Sequence, residues 1–320
     1  MAIVALALVV VLSLAIGSRQ ISLPELFAGL WAGEGPDRAV LLDLRLPRTL
    51  LGILAGAGLA VAGVVMQATT RNPLADPGLL GVNAGAVFAV VAGIALFGQT
   101  GIQSQIWLAL LGAGVASAAV YAVGSVGGTR ATPLRLTLGG VALGAVLGGA
   151  ARTIMLLDPS GFDFARHWMT GAIAVVGYEV PLSIAPFAAA GFVVALAVSR
   201  SLDALALGDD LARSLGLRLA TTRVLSIASI ALLAGSATAA VGPVGFVGLI
   251  VSHIARQIAG SSQRRILAFA ALLGPTLVLL ADIVGRVVAW PEELPASIVT
   301  AVVGGPVLIL LARRLAAQGQ

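Results

Sequence analysis

The sequence contains no cysteine in 320 residues, which excludes disulfides, thiol catalysis, Fe–S ligation and thiolate zinc sites. It contains no lysine either: all 19 basic residues are arginine. A phosphate loop of the form G-x-x-x-x-G-K-[ST] is therefore impossible, and if ATP drives a process here the hydrolysing site lies on another polypeptide. Histidine occurs only as His167 and His253, too far apart for the H-E-x-x-H pattern of a zinc protease. Charge is scarce: 10% of residues carry it, against about a quarter in an ordinary soluble domain.

What fills the chain instead is apolar. Hydrophobic residues make up 59% of it, with a mean hydropathy of +1.05. Such a chain cannot cover itself with water-compatible surface, and in lipid only helices or closed barrels satisfy the backbone. The apolar runs are continuous, about 17–22 residues long, which is the length of a membrane-crossing helix rather than the alternation of a barrel strand. The expected fold is therefore all-α and polytopic, with about ten spans near 1–17, 50–69, 79–97, 106–125, 137–157, 181–199, 223–241, 244–258, 266–288 and 297–312. The eighth is short and interrupted by Gly245 and Gly248, so a partly re-entrant path is an alternative for it. Met1 to Ile16 lacks a basic leading segment and a clear cleavage site, and reads as the first span rather than a removed signal. The whole of 1–320 is expected to form one transmembrane domain with no soluble domain. The 40 glycines sit within the apolar runs, where small residues let helix backbones approach; Gly52-x-x-x-Gly56 and Gly140-x-x-x-Gly144 read as packing faces.

Orientation follows from arginine placement. With the N-terminus inside, the cytoplasmic segments hold twelve arginines (71, 130, 135, 200, 213, 218, 223, 256, 264, 265, 313 and 314) against the acids Asp76, Asp203, Asp209 and Asp210, a net of +8. The outer side holds seven arginines and ten acids, a net of −3, and the two together match the chain's formal +5. An N-in, C-in topology is expected, and the excess of arginine is a topology signal rather than a nucleic-acid footprint.

The longest cytoplasmic connection, 200–222, contains a helical pattern. Leu207, Leu211 and Leu215 fall on one face, Asp209 and Asp210 lie in the first turn where the helix dipole favours them, and Gly216 closes the end. The pattern predicts a short amphipathic surface helix. An intramembrane serine hydrolase is disfavoured, because Ser236 lies among small residues with no histidine placed to reach it. A proton- or sodium-coupled carrier would place acids at mid-membrane; here only Asp282 falls inside a span, four residues before Arg286 and able to pair with it.

Three stretches then carry a resemblance. The first is Arg45-Leu-Pro-Arg48, a Gly/Ala-rich span, Gln67, and Arg71-Asn-Pro-Leu-Ala-Asp-Pro-Gly-Leu-Leu-Gly81. The second is Gly242-Pro-Val-Gly-Phe-Val-Gly-Leu249 with Ser252-His-Ile-Ala-Arg256 and Gly260. The third is Ala281-Asp-Ile-Val-Gly-Arg286 with Pro291-Glu-Glu-Leu-Pro295 and Gly304-Gly-Pro-Val307. In this order, along nearly the whole chain, they resemble the FecCD-type permeases of ABC importers for iron–siderophores, haem and cobalamin. Asn72 to Gly85 is most similar to the D-type permease of ferric-enterobactin systems. One departure is Ser252, at a position where proline is common.

The resemblance implies a type II ABC importer permease, not an enzyme, for a ferric siderophore, with catecholate favoured and haem or cobalamin as alternatives. Arg45, Arg48 and Arg286 would receive acidic residues of a periplasmic or lipoprotein substrate-binding protein, and arginine suits this because it stays charged and forks onto carboxylates. Gly208, Asp209, Asp210, Leu211, Arg213, Leu215, Gly216 and Leu217 would form the coupling element seated on an ATPase subunit, the leucines giving apolar contact and the charges setting orientation. Asn72 and Leu74 in the rigid two-proline turn 71–77, opposed by Thr132 and Pro133, would form the cytoplasmic gate. The implied partners are a second permease subunit (a heterodimer favoured over a homodimer), two ATPase subunits on which ATP and Mg act, and the lipid membrane. No metal or cofactor is expected on this chain, because the iron stays inside its chelate.

Overall fold

A computed structural model describes residues 1–17, 21–29, 38–98, 101–124, 133–157 and 168–318. Helices dominate them. They are α1 (Ala2–Ala15), α2 (Leu23–Phe27), α3 (Leu46–Thr70), α4 (Val82–Phe97), α5 (Ile102–Gly124), α6 (Pro133–Leu157), α7 (Glu179–Ala206), α8 (Asp209–Ser214), α9 (Leu219–Val241), α10 (Val247–Ala259), α11 (Gln263–Val288) and α12 (Ala296–Gln318). A π-helical segment, Val40–Arg45, leads into α3, and a 3-10 turn, Pro77–Leu80, leads into α4. Among the described residues seven segments are long and apolar enough to cross a membrane: Val40–Thr70, Ile102–Gly124, Arg135–Leu157, Glu179–Ala206, Leu219–Val241, Gln263–Val288 and Ala296–Arg313. The shorter α1, α4 and α10 are apolar as well. The protein is a multi-pass membrane protein.

Every stretch expected to span carries a helix. The expected 50–69 is the later part of a longer helical path, Val40–Thr70, because the π segment continues directly into α3. The stretch with two glycines resolves differently from expectation. Phe246 adopts a left-handed conformation (φ 67°), and α10 starts only after it, at Val247. Gly248 lies inside that helix and does not break it. It is a crossing point: a Cβ on Gly63 would stand 2.4 Å from the Gly248 Cα.

α3 forms the centre. It packs against α7, α9, α10 and α11, while α4 binds α5 and α6, and α1 lies against α11. The Val40–Thr70 window is 83% buried and that of α6 only 17%, so the bundle has one inner helix and an outward-facing one. Of the two predicted packing faces, Gly52/Gly56 is used: a Cβ on Gly56 would meet the Gly274 carbonyl oxygen at 2.7 Å, so α3 and α11 touch backbone to backbone there. Gly144 is not used in this way, since the nearest atom to its would-be Cβ is the Ala84 Cβ at 3.9 Å. Gly148 and Gly149, further along α6, face open space. Ser236 is buried and donates to the Leu233 carbonyl, as a packed helical serine does.

Candidate functional site

Among the described residues the ion pairs gather in two clusters, one at each end of α3, each built around one aspartate. At one end Asp282 projects from α11 and is 1% exposed. From α3, Arg48 Nη2 donates to Asp282 Oδ1 at 2.7 Å, and Arg48 Nε lies 3.1 Å from Oδ2. Arg286, one turn along α11, donates through Nε to Asp282 Oδ2 at 3.0 Å, and its Nη2 also reaches that oxygen. The pairing of Asp282 with Arg286 is the one the spacing predicts; Arg48, 234 residues away in sequence, is the partner the spacing does not reveal. Arg48 Nη1 further binds Glu293 Oε2 at 2.7 Å.

Arg286, together with Arg45, also closes α1. A helix leaves its last carbonyls without intrahelical partners, a severe cost inside a membrane protein. Arg45 Nη1 donates to the Leu14 and Ala15 carbonyls at 2.5 and 2.7 Å. Arg286 Nη1 donates to the Ser13 and Ile16 carbonyls at 3.0 and 2.8 Å. Ser13 and Thr49 complete the junction through their hydroxyls, 2.9 Å apart. Arg45 and Arg286 are 6% and 4% exposed. Three residues apart, Arg45 and Arg48 would share a face on a regular helix, and here they do not. The change from π to α turn falls between them, so Arg45 reaches α1 while Arg48 reaches α11. All three arginines, with Glu293, Gly17 and Leu44, line a cavity of about 310 Å³ that opens at this end.

At the other end Asp209 opens α8. Its Oδ1 accepts from Arg71 Nη2 at 3.1 Å and its Oδ2 from Arg223 Nη2 at 2.8 Å, with Arg213 at 4.0 Å. Arg213 also pairs with Asp210 at 3.0 Å. The predicted amphipathic helix is shortened to six residues, bracketed by Gly208 (φ 105°) and Gly216 (φ 82°), conformations that only glycine adopts without strain. Leu207, Leu211 and Leu215 stand 61%, 50% and 63% exposed, an apolar face pointing away from the bundle. Leu217, expected on that face, is not there: the reversal at Gly216 turns it inward against the main core, and its N–H bonds the Ala212 carbonyl at 3.0 Å.

Beside α8 runs the turn 71–77. Arg71, at the end of α3, is left-handed (φ 49°). Asn72 Oδ1 accepts from the Leu74 N–H at 3.0 Å, and Asp76 Oδ1 from the Gly78 N–H at 2.9 Å, which makes the turn internally fixed. Leu74 packs with Leu249, Ile250 and Leu311. Burial pushes the Asp76 carboxyl above the usual carboxylate range, against the opposing pull of the Gly78 N–H. Thr132 lies outside the described residues, as does the Pro133 side chain; Pro133 itself opens α6. His167 is outside them too. Among the described residues no group of three His, Cys, Asp or Glu side chains comes together as a metal site would require.

The pattern of elements and motifs has known counterparts. The profile of the FecCD transport family matches residues 5–314. The ferric enterobactin transport system permease protein FepD of Escherichia coli (strain K12) is 47% identical over 309 residues, 95% of this chain and 91% of that protein. The Fe(3+)-citrate import system permease protein YfmD of Bacillus subtilis (strain 168) is 41% identical over 304 residues, 95% of this chain and 90% of that protein. A solved ABC transporter described as of metal-chelate type, in an inward-facing conformation, superposes with a TM-score of 0.84 at 28% identity, covering 98% of this chain and 97% of the other. With nearly its full length matched by the family profile and by relatives well above 30% identity, the chain belongs to the FecCD transport family.

Proposed function

We propose that the chain is the membrane-spanning permease subunit of an ATP-driven importer that moves a ferric siderophore across the inner membrane, with a catecholate of the enterobactin type favoured. The carrying observation is the end-to-end match to the family together with 47% identity to a ferric enterobactin permease. In this reading the ten apolar helices span, N-in and C-in, as a single transmembrane domain of type II importer architecture. A second permease subunit, favoured as a different chain, completes the pathway. The outward, glycine-bearing side of α6 supports a wall lined by small residues.

Of the two ATPase subunits, where ATP and Mg act, one seats on the leucine face at 207, 211 and 215, which is apolar, exposed and without cover among the described residues. The permease contributes no hydrolytic chemistry and binds no metal; the iron is cargo inside its chelate. A periplasmic or lipoprotein binding protein docks at the opposite end. Arg48 is the reachable docking arginine, with 14% of its side chain exposed at the cavity it lines. Arg45 and Arg286 face the same cavity, but their hydrogen bonds to α1 give them a structural role first. Asn72 and Leu74 belong to the inner gate, a reading supported by the fixed turn and by the wedge of Leu74 against α10 and α12. Asp282, saturated by two guanidiniums, is poorly suited to bind a coupling ion, which weighs against a secondary carrier.

The test is uptake of radio-iron-labelled ferric enterobactin by cells with and without this chain, beside a ferric hydroxamate, haem and cobalamin. Dependence of the catecholate signal alone supports the full reading. Dependence of haem or cobalamin alone keeps the importer and overturns the substrate, and no dependence for any of them overturns the importer.

A further inference from the structure

We propose that Asp209 is a positioning residue that ties the partner-facing helix α8 to the turn 71–77, so that displacement of α8 is delivered to the gate through the Asp209–Arg71 ion pair. The inference rests on the permease reading above and assigns a route to its coupling step.

α8 is too short to hold its own place. A helix of six residues lacks the length at which hydrogen bonding overcomes nucleation, so its position is set by what its ends touch. The flanking glycines, with φ of 105° and 82°, act as pivots rather than props. The polar restraint nearest its start is Asp209, and the carboxylate is divided between two long elements. Oδ1 takes Arg71, the last residue of the α3 path before the turn, and Oδ2 takes Arg223, in the first turns of α9. The two partners are not equivalent. Arg223 has 7% of its side chain exposed and sits in the bundle wall, whereas Arg71 is 37% exposed and leads directly into Asn72. Movement of Asp209 is therefore resisted on the α9 side and transmitted on the Arg71 side.

Arg71 is built to receive it. Left-handed backbone is uncommon for a residue other than glycine, and it directs the guanidinium back toward α8; the space beside Gly208 is occupied by Arg71 Nη1, 3.9 Å from where a Cβ would stand. The turn beyond is stiff, held by the Asn72 and Asp76 side-chain bonds, and wedges Leu74, at its middle, against Leu249, Ile250 and Leu311. A stiff turn pulled at one end moves its other end, which is what a relay requires. The leucine face at 207, 211 and 215 is free to accept a partner while Asp209 remains engaged inward.

The experiment uses the complete importer, isolated from its native membrane through a tag on this chain and reconstituted in vesicles with its binding protein. Ferric enterobactin, a ferric hydroxamate, haem and cobalamin serve as probes, and the readout is the number of chelate molecules imported per ATP hydrolysed. Wild type, Arg71→Ala and Arg71→Lys are compared. We expect Arg71→Ala to copurify with its ATPase subunits and to lower the ratio about tenfold, within the range of ordinary inter-site coupling, with Arg71→Lys recovering most of it. An Arg71→Ala importer with the wild-type ratio overturns the relay while leaving the function intact. Loss of the ATPase subunits from the Arg71→Ala complex also overturns it, because the ion pair then serves docking. A wild-type complex that imports none of the four probes counts against the function itself, a result distinct from either. The chain's lack of cysteine permits a second readout that does not depend on the chelate: spin labels on cysteines introduced at 214 and 74 should report correlated shifts on ATP binding in wild type and uncorrelated ones in Arg71→Ala.

Discussion

The two ends of the bundle use one device in opposite environments. Each sets an aspartate between two arginines, one near in sequence and one remote: Arg286 and Arg48 around Asp282, Arg223 and Arg71 around Asp209. At the first, the Asp282 side chain is 2% exposed and the arginines 14% and 3%; at the second, the values are 21% for Asp209, 37% for Arg71 and 7% for Arg223. The difference decides what each cluster can do. Charges taken out of water cost several kcal/mol apiece and persist only when every donor and acceptor is met, so the buried cluster behaves as a lock. The Asp209–Arg71 ion pair, in contact with water, contributes about 0–1 kcal/mol and is easily remade, so it holds position without fixing it. The bundle thus has a rigid joint where α1, α3 and α11 meet, and a more compliant one where α8 meets the turn.

The sharpest way to break this contrast is to remove the charge from each aspartate. Asp282→Asn strips Arg286 of its buried anion and leaves Arg48 only the partly exposed Glu293, and the expected loss is about 3–5 kcal/mol, as for other buried pairs stripped of one partner. In detergent this appears as a large fall in Tm or as failure to recover monodisperse protein. Asp209→Asn, at a carboxylate 21% exposed, strips the buried Arg223 as well as the more exposed Arg71, and should shift the same melt by less, about 1–3 kcal/mol. Equal melts for the two variants would remove the distinction between lock and tether.

An intermediate effect is expected at Arg45, where docking and structure compete as explanations. Its guanidinium supplies two hydrogen bonds to carbonyls at the end of α1, so Arg45→Gln should cost about 1–3 kcal/mol of stability, the penalty for leaving buried acceptors unpaired. Limited proteolysis should then cut first near Gly17, while affinity for the binding protein changes little. The reverse result, an unchanged melt with weakened docking, would return Arg45 to the docking surface beside Arg48.

How far these features were legible in the sequence depends on their range. The helices were readable because a membrane-crossing run is local, and the Asp282–Arg286 pair because four residues place two side chains on one helical face. The leucine face of 207–215 was readable for the same reason. Arg48 with Asp282, 234 residues apart, and Arg71 with Asp209, 138 apart, carry no periodic signal, since only the fold brings them together. Local reasoning also failed where backbone reversals intervene. Gly216 takes Leu217 off the leucine face, and Phe246 rather than either glycine sets the start of α10. The role of Arg45 was hidden differently: its partners are main-chain carbonyls, which no residue type advertises.

The smallest expected effect tests the stiffness of the turn on which the compliant end acts. Asp76 accepts the Gly78 N–H at the start of the 3-10 turn, yet burial raises its carboxyl above the ordinary range, so the folded state disfavours the ionised form. Below the ordinary carboxylate value of about 4 the group is protonated whether folded or not, and no penalty exists. As pH rises through that value the penalty grows, and it is complete above the raised value. Asparagine keeps the accepting oxygen, serves as well as aspartate at such a cap, and cannot ionise. Asp76→Asn should therefore melt slightly above wild type at neutral pH, with the gap closing as the pH is lowered toward 4. A gap of the opposite sign, widening with pH, would mean that the ionised carboxylate stabilises the turn through charge. The turn would then be held by electrostatics, as α8 is, instead of by the neutral hydrogen bonds that make it a stiff receiver of what Arg71 delivers.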